Sequence, residues 1–396
     1  MGLENTWRWF GPEDPIGLEY VRQTGATGVV TALHHIPIGE PWTPDEIAKR
    51  KGMIEAAGLR WSVAESLPVH EDIKRKTGNY RKYIDNFKQS VVSLGRHGID
   101  VVCYNFMPVL DWSRTDLHVE FRDGSITTKF EARAFAAFDL FQLRRQGAEK
   151  LYEDRQIWDA RQFFDGLSAK EKDTLIQTIL LGLPGSGDAY TLDEFKSAIN
   201  SYQNIGDAAL RDHLYAFLKE VVPVAEESGV LLAIHPDDPP RTLLGLPRVV
   251  SNEDDIARLL SSIDSTSNGI TFCTGSLGAG LQNDPGQMAE RFATRISFVH
   301  LRNVTRNSIG DFVEDNHLEG DVDIYRVLKA LVLEQKRRVE TGRNDTRLPL
   351  RPDHGHLMLA DRKFGKVYPG YSLFGRMRGL AELRGMEIGI RRSLGI

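Results

Sequence analysis

The stretch VLLAIHPDD, residues 230–238, is an apolar run that ends abruptly in a histidine and two aspartates. A helical pattern over Ala208–Gly229 precedes it, and a second helical pattern, opened by Asn252, follows it. An apolar run of strand length between two helices is typical of a parallel strand that is buried on both faces. This part of the chain therefore predicts a βα unit with polar side chains at the carboxyl end of its strand.

The same alternation of strand and helix extends over most of the chain. The eight predicted strands are Thr6–Phe10, Gly28–His35, Arg60–Ser66, Asp100–Val109, Val230–Asp238, Gly269–Ser276, Ile296–Asn303 and Leu348–His354. The predicted fold class is therefore α/β. Eight such units favour closure of the sheet into a (β/α)8 barrel, the TIM barrel, although an open doubly wound sheet has the same local pattern.

Residues 110–207 interrupt this alternation between the fourth strand and its helix. The segment is too long for an ordinary loop. It contains the strongly helical stretch 130–152 and two shorter stretches, 167–180 and 191–202, that each begin with an N-cap residue. We therefore expect a single TIM-barrel domain over residues 1–396, with a long helical insertion at 110–207.

Composition and charge exclude several classes of protein. Of the 396 residues, 41% are hydrophobic and 27% are charged, which excludes a disordered or collagen-like chain. The formal net charge of -5 lacks the basic excess of a nucleic-acid-binding protein. No apolar run reaches the roughly 18 residues of a membrane-spanning helix, and MGLENTWRWF lacks the apolar centre of a signal peptide. With only two cysteines, we expect a protein of the reducing cytoplasm.

The carboxyl ends of the last four predicted strands each provide one side chain that binds metals in other proteins. These residues are His235, Cys273, His300 and Asp353. Taken singly, each has a structural explanation, such as a buried thiol at Cys273 or a capping carboxylate at Asp353. Consecutive strands of a barrel lie side by side, so the four side chains are expected to converge at its catalytic end. Two imidazoles, a thiolate and a carboxylate predict a site for a divalent transition metal.

Two further residues near these strand ends suit an anionic, hydroxylated substrate. Arg302 follows His300 by two positions on the same side of the strand, so it could bind a carboxylate, although an arginine at the barrel rim is an equally good explanation. His354 is next to Asp353 and could serve as an acid or base near neutral pH, or could only support the metal ligand.

Two loops and one tyrosine complete the candidate residues. The glycine-rich loop GSLGAG (275–280), with Ser276, could direct N–H groups at a substrate anion, although it lacks the spacing of a dinucleotide motif. The stretch YNFMPVLDWSRTDL (104–117), with Asn105, alternates aromatic and polar residues, as a sugar-binding rim or a packed loop would. Tyr371 follows a Pro-Gly turn, where packing is its simplest role, although it could reach over the pocket.

Together these segments resemble the mannonate dehydratases of the hexuronate-degradation pathway. The matching stretches span nearly the whole chain: WRWFGPEDP, VVTALHHIP, NFMPVLDWSRTDL, AIHPDDPP, FCTGSLGAG, VHLRN, RPDHGH and PGYSLFGR. The family has a xylose-isomerase-like TIM barrel, in agreement with the strand count. The resemblance implies that Mn(II) or Fe(II) is held by His235, Cys273, His300 and Asp353. It also implies that His354 and Tyr371 form the acid–base pair, while Arg302, Asn105 and Ser276 remain candidates for substrate binding.

The reaction that the resemblance implies is the dehydration of D-mannonate to 2-keto-3-deoxy-D-gluconate. Loss of the C2 proton, beside a carboxylate, builds negative charge that a metal ion stabilises as a Lewis acid. A base takes this proton and an acid protonates the departing 3-hydroxyl. The sequence leaves open which of His354 and Tyr371 is the base. No nicotinamide, flavin or pyridoxal phosphate is needed.

The expected partners are the small sugar acid and further copies of the chain, as a homodimer or higher homo-oligomer, with no nucleic acid and no membrane. Two alternatives remain at this point. A metal-dependent sugar isomerase or epimerase would use similar ligands but would expel no hydroxyl. A catalytically silent sugar-acid binding protein could also be built on the same scaffold.

Overall fold

The described residues, 2–181 and 190–396 of a computed structural model, form strands and helices in the predicted alternation. The strands are β1 (Glu4–Arg8), β2 (Gly28–Thr31), β3 (Arg60–Glu65), β4 (Val101–Tyr104), β5 (Asp116–Glu120), β6 (Ile126–Phe130), β7 (Leu231–Ile234), β8 (Asn268–Cys273), β9 (Ile296–Leu301), β10 (Asn303–Arg306), β11 (Phe312–Asp315) and β12 (Pro349–Pro352). The α-helices are α1 (Leu18–Gln23), α2 (Pro44–Ala56), α3 (Glu71–Arg75), α4 (Tyr80–Arg96), α5 (Ala132–Ala137), α6 (Asp154–Gly166), α7 (Ala169–Leu180), α8 (Leu192–Asn200), α9 (Asp207–Glu227), α10 (Glu253–Ser262), α11 (Thr274–Gly278), α12 (Pro285–Phe292), α13 (Ile324–Glu340) and α14 (Leu373–Leu394). A π-helical turn at Phe138–Leu143 and short 3-10 helices at Ala148–Leu151, Ala293–Arg295 and Leu359–Phe364 complete them.

Eight of the described strands are parallel and close into a barrel, in the spatial order β1, β12, β9, β8, β7, β4, β3, β2. This closure confirms the predicted TIM barrel and excludes the open doubly wound sheet. All eight predicted strands are present. Most of them end several residues earlier than predicted, because the polar residues after the apolar runs leave the hydrogen-bonded ladder.

The inside of the barrel is apolar in its middle and polar at its carboxyl end. The buried apolar cluster there consists of Val30, Val63, Val101, Cys103, Ala233 and Phe298. Burial raises the pKa of the Cys103 thiol, so this cysteine behaves as an interior apolar residue. Alternate residues of a strand lie on the same face. Glu65 and His300, two positions beyond Val63 and Phe298, therefore lie directly above the apolar cluster.

The segment 110–207 contains the predicted helices, but it is not purely helical. It begins with the antiparallel hairpin β5–β6, which was not predicted. A second unpredicted hairpin, β10–β11, follows barrel strand β9 directly. The two hairpins join in one four-stranded sheet in the order β10, β11, β6, β5. The strands of this sheet lack the continuous apolar runs that predicted the barrel strands, so no local pattern indicated them.

The predicted helix starts are present in the structure. The side chains of Thr43, Ser168, Thr191 and Asn252 each accept a hydrogen bond from the backbone N–H three residues further on. These bonds satisfy one of the free N–H groups at each helix start. Within the described ranges, no helix combines the length and the apolar character needed to span a membrane.

Candidate active site

Three of the four predicted metal ligands converge at the carboxyl end of the barrel. His235, Cys273 and His300 each offer one ligand atom, and these atoms all lie within 4.8 Å of one another. Cys273 and His300 are register partners on β8 and β9, and His235 directly follows β7. The spacing suits one shared ion, because zinc-type bonds to nitrogen and sulfur are about 2.0–2.3 Å long.

The hydrogen bonds of the two histidines leave their lone pairs facing each other. His235 Nδ1 lies 2.7 Å from the carbonyl oxygen of Pro236, which only accepts, so His235 Nδ1 is the protonated nitrogen. His300 Nε2 lies 3.3 Å from a carboxylate oxygen of Glu65, and this negative charge favours the tautomer with its proton on Nε2. The remaining nitrogens, His235 Nε2 and His300 Nδ1, are 3.2 Å apart. Two facing lone pairs repel each other unless a cation binds both, so the donor set fits a divalent metal.

Asp353 lies beside this cluster and contacts two of its members. The Cys273 thiol donates to Asp353 Oδ2 at 3.6 Å, and Asp353 Oδ1 is 3.9 Å from His300 Nδ1. Arg351 donates to Oδ1 at 2.5 Å. Burial alone would raise the pKa of Asp353, but Arg351 and the other neighbouring cations lower it well below its ordinary value. The carboxylate is therefore ionised, as a metal ligand requires, and its role as the fourth ligand stays a prediction.

Glu65, Arg351 and Arg8 form a buried ionic layer beneath the cluster. Arg351 donates to both carboxylate oxygens of Glu65, at 2.8 and 3.1 Å, and Arg8 lies 3.8 Å from the same carboxylate. Burial raises the pKa of Glu65, but Arg351, His300 and Arg8 outweigh it, so the pKa lies well below its usual range. Glu65 was not predicted as a functional residue, although it lies near the carboxyl end of the predicted strand Arg60–Ser66 and is the last residue of β3. A carboxylate at this place orients the ring of His300.

Arg302 lies in the site, as predicted, with three carboxylates around it. Its guanidinium is 2.7 Å from Asp238, 2.9 Å from Glu314 and 3.4 Å from Asp353. Burial alone would lower the pKa of Arg302, but these carboxylates raise it well above its ordinary value. The positive charge of Arg302 is therefore matched within the protein before any substrate binds.

Ser276 is fully buried and interacts with a metal ligand. Its hydroxyl lies 3.1 Å from both Cys273 Sγ and Asp238 Oδ2, and its N–H donates to Cys273 Sγ at 3.4 Å. The segment interpreted as an anion-binding loop instead begins with α11, in which the N–H groups of Ala279 and Gly280 donate to backbone carbonyls. The N–H groups of Ser276, Ala279 and Gly280 are therefore used by local hydrogen bonds, and a role of this loop and of Ser276 in binding the substrate stays a prediction.

Asn105 is half-buried and lines a cavity of about 620 Å³ at the mouth of the barrel. Its Oδ1 accepts a hydrogen bond from the N–H of Met107 at 3.4 Å. Arg8 and Lys74 lie on the same cavity wall. The cavity therefore reaches the ionic layer beneath the cluster, and Asn105 lies on its rim.

His354 and Tyr371, the predicted acid–base pair, lie against each other. Their ring centroids are 5.2 Å apart in an edge-to-face arrangement. Gly370 makes this approach possible, because a Cβ at Gly370 would lie 3.1 Å from the His354 ring and its φ is +81°. Burial raises the pKa of Tyr371 to about 12, so its phenol is protonated at neutral pH.

Glu314 orients His354, and sequence reasoning missed it. It lies on the unpredicted strand β11, with its Oε1 3.3 Å from His354 Nδ1. Arg114, which lies between β4 and β5, contacts the same carboxylate at 2.5 Å. Burial would raise the pKa of Glu314, but Arg302, Arg114 and His354 lower it to about 2. An ionised carboxylate therefore faces one nitrogen of His354 and leaves the other nitrogen for chemistry.

A closed βα barrel with a His-Cys-His cluster that could hold a metal ion, together with a histidine–tyrosine pair, is typical of a metal-dependent TIM-barrel enzyme. The chain matches the model of the D-mannonate dehydratase family over residues 3–394. It is 53% identical over 393 residues to a mannonate dehydratase from Marinomonas sp. (strain MWYL1), covering 99% of this chain and 100% of that protein. A mannonate dehydratase from Chromohalobacter salexigens is 54% identical over 391 residues, which cover 98% of this chain and 99% of that one.

Structural comparison indicates the same family. The crystal structure of mannonate dehydratase from Streptococcus suis serotype 2 aligns with a TM-score of 0.77 at 35% identity, covering 100% of this chain and 95% of that one. The present chain belongs to the D-mannonate dehydratase family.

Proposed function

We propose that this protein is a hydro-lyase that dehydrates D-mannonate to 2-keto-3-deoxy-D-gluconate in hexuronate catabolism. The observation that carries this proposal is the His354–Tyr371 pair next to Asp353, whose carboxylate contacts Cys273 of the His-Cys-His cluster, in a chain that matches its family over almost its whole length. Dehydration beside a carboxylate needs a Lewis acid and an acid–base pair together. The site contains residues for both.

His235, Cys273 and His300, with Asp353, would hold the divalent ion, and we propose Mn(II) or Fe(II). Such an ion supplies Lewis acidity for the negative charge that develops beside the substrate carboxylate. The overall reaction moves no electrons to or from the substrate, so it needs no nicotinamide or flavin, and D-mannonate has no amino group on which pyridoxal phosphate could act. We further propose that the enzyme acts in the cytoplasm as a homodimer or a higher homo-oligomer.

The contact with Glu314 favours His354 as the base. With a carboxylate at Nδ1, His354 carries its proton on that nitrogen and presents the lone pair of Nε2 to the C2 proton. Glu314 then stabilises the imidazolium that forms. Tyr371 keeps its phenolic proton at neutral pH, so it suits the role of the acid that protonates the departing 3-hydroxyl.

The electrons of the broken C2–H bond form the C2–C3 double bond, and the C3–O bond breaks with release of water. The enol that results becomes the 2-keto acid by taking a solvent proton at C3 and releasing the proton of its 2-hydroxyl to solvent. His354 gains one proton and Tyr371 loses one, so the total number of protons on the two side chains does not change.

The reaction run in deuterium oxide tests this proposal. We expect mass spectrometry and NMR to show a keto acid that has lost one water from D-mannonate and carries one deuterium at C3. Preformed product incubated with the enzyme controls for later exchange at C3. A product of unchanged elemental composition would instead indicate an isomerase or epimerase, and unconsumed substrate would indicate a binding protein.

A further inference from the structure

His34 lines two adjoining cavities at the mouth of the barrel. It lies three residues beyond the end of β2 and lines the 620 Å³ cavity together with Arg8 and Asn105. It also lines a cavity of about 460 Å³, which Phe10 and Tyr368 border. The side chain of His34 is half-buried, so it is within reach of a ligand in either cavity.

Arg8 determines which ring nitrogen of His34 carries the proton. Arg8 Nη2 lies 3.2 Å from His34 Nε2. A guanidinium only donates, so Nε2 accepts and the proton of the neutral ring is on Nδ1. Burial, together with the positive charges of Arg8 and Arg50, lowers the pKa of His34 to about 3, so the ring is neutral at neutral pH. No described residue bonds to Nδ1, and His34 therefore has one uncharged N–H donor left for a ligand.

The ring of Phe10 connects His34 to the acid–base pair. Phe10 stacks on the ring of His34 with 6.2 Å between centroids, and its ring meets that of Tyr371 edge-on at 4.8 Å. One aromatic ring therefore separates His34 from Tyr371. The three bonds from C3 to C6 of an extended sugar chain span about 3.6 Å, as three backbone bonds do, and a hydrogen bond of about 2.8 Å is added at each end. A six-carbon acid whose 3-hydroxyl bonds to Tyr371 is therefore long enough to reach His34 with its other end.

We infer that the Nδ1–H of His34 binds the terminal hydroxyl, at C6, of the sugar-acid substrate. A single uncharged donor suits a hydroxyl oxygen, whereas a carboxylate is bound most strongly by charged, paired donors. The inference rests on the proposed function, which places the carboxylate end of the acid at the His-Cys-His cluster and lets the chain extend away from it. His34 then helps to select acids of six carbons.

Glutamine and asparagine at position 34 separate this role from a structural one. The amide of H34Q reaches the position of Nε2 and accepts from Arg8, but it leaves no donor at the position of Nδ1. H34N has its amide at the Nδ1 position, so it keeps the donor and loses the acceptor for Arg8. With metal-loaded enzyme, we expect kcat/KM for D-mannonate to fall about 10-fold in H34Q, as for the loss of one buried hydrogen bond, and less than about threefold in H34N. If His34 only held Arg8 in place, H34N would be the more impaired of the two.

The analogue 6-deoxy-D-mannonate, which lacks only the C6 hydroxyl, tests which part of the substrate His34 binds. The wild type is expected to use this analogue about 10-fold less efficiently than D-mannonate, because the donor at Nδ1 then has no acceptor. H34Q is expected to use both acids with equal efficiency. Equal losses for the two acids in H34Q, or a wild type without preference for D-mannonate, would overturn the inference.

H97Q is the matched control. His97 is half-buried like His34 and bonds to the carbonyl of Ser93 at 2.7 Å, but it directly follows α4 and precedes β4, at the amino end of the barrel. H97Q is therefore expected to keep the wild-type preference for D-mannonate. If H34Q fails to fold, H34N decides, because loss of the preference in H34N would overturn the inference. Wild type that forms no product from D-mannonate refutes the proposed function itself.

Discussion

Replacement of His354 by asparagine is expected to lower kcat about 1000-fold, within the range that general bases contribute. Asparagine has no nitrogen lone pair to accept the C2 proton, but its amide N–H still donates to the Glu314 carboxylate that now lies 3.3 Å from His354 Nδ1. The buried ionic network and the metal ligands therefore remain in place. The measurement is kcat at saturating D-mannonate, together with the metal content of the same preparation by mass spectrometry.

His356, two residues further on, provides the control for H354N. Its ring bonds to Ser125 at 3.0 Å and to the backbone carbonyl of Glu314 at 3.1 Å, so H356N is expected to affect stability more than kcat. Near-normal turnover by H354N, with metal bound, would show that the acid–base assignment is wrong.

Replacement of Cys273 by serine is expected to remove metal and activity together. A thiolate is a far stronger ligand for a transition metal than a neutral hydroxyl. Loss of a partner that only supports a ligand already costs about 10–100-fold in affinity, so loss of the ligand itself is expected to exceed 100-fold. Titration of the stripped variant with Mn(II) against a chelator of known affinity measures this loss directly.

C103S is the matched control for C273S. Cys103 is the chain's other cysteine and is equally buried, but it lies in the apolar inside of the barrel, where its sulfur accepts a hydrogen bond from Thr271. C103S is therefore expected to keep its metal affinity. If C273S bound Mn(II) as tightly as the wild type and turned over normally, Cys273 would not be a ligand.

The barrel and the metal cluster were predictable because their signals are local. An apolar run that ends in a polar residue marks both a buried strand and the residue at its carboxyl end, so His235, Cys273 and His300 could be found one strand at a time. Glu65 obeys the same rule and could have been found with it. Tyr371 could be placed only by the family resemblance, since its loop has no pattern of its own.

The remaining features depend on contacts between distant segments. Glu314 reaches His354 from a four-residue strand, and Arg114 meets it 200 residues away in sequence. A contact between residues so far apart in sequence leaves no local pattern from which it could be predicted. The ion pairs of Arg302 could not be predicted either, because its three carboxylate partners come from three separate loops or strands. The hydroxyl of Ser276 bonds to Cys273 and Asp238, and the second of these is 38 residues away in sequence.

Removal and return of the metal ion test whether this chain is a metal-dependent mannonate dehydratase. Purified enzyme is stripped with a chelator, and 2-keto acid formation from D-mannonate is followed with and without added Mn(II) or Fe(II). We expect no product from the stripped enzyme and restored formation of 2-keto-3-deoxy-D-gluconate when either ion is added. Equal rates without metal would show that the enzyme needs no metal ion, and no product from folded enzyme with metal bound would show that it is not a mannonate dehydratase.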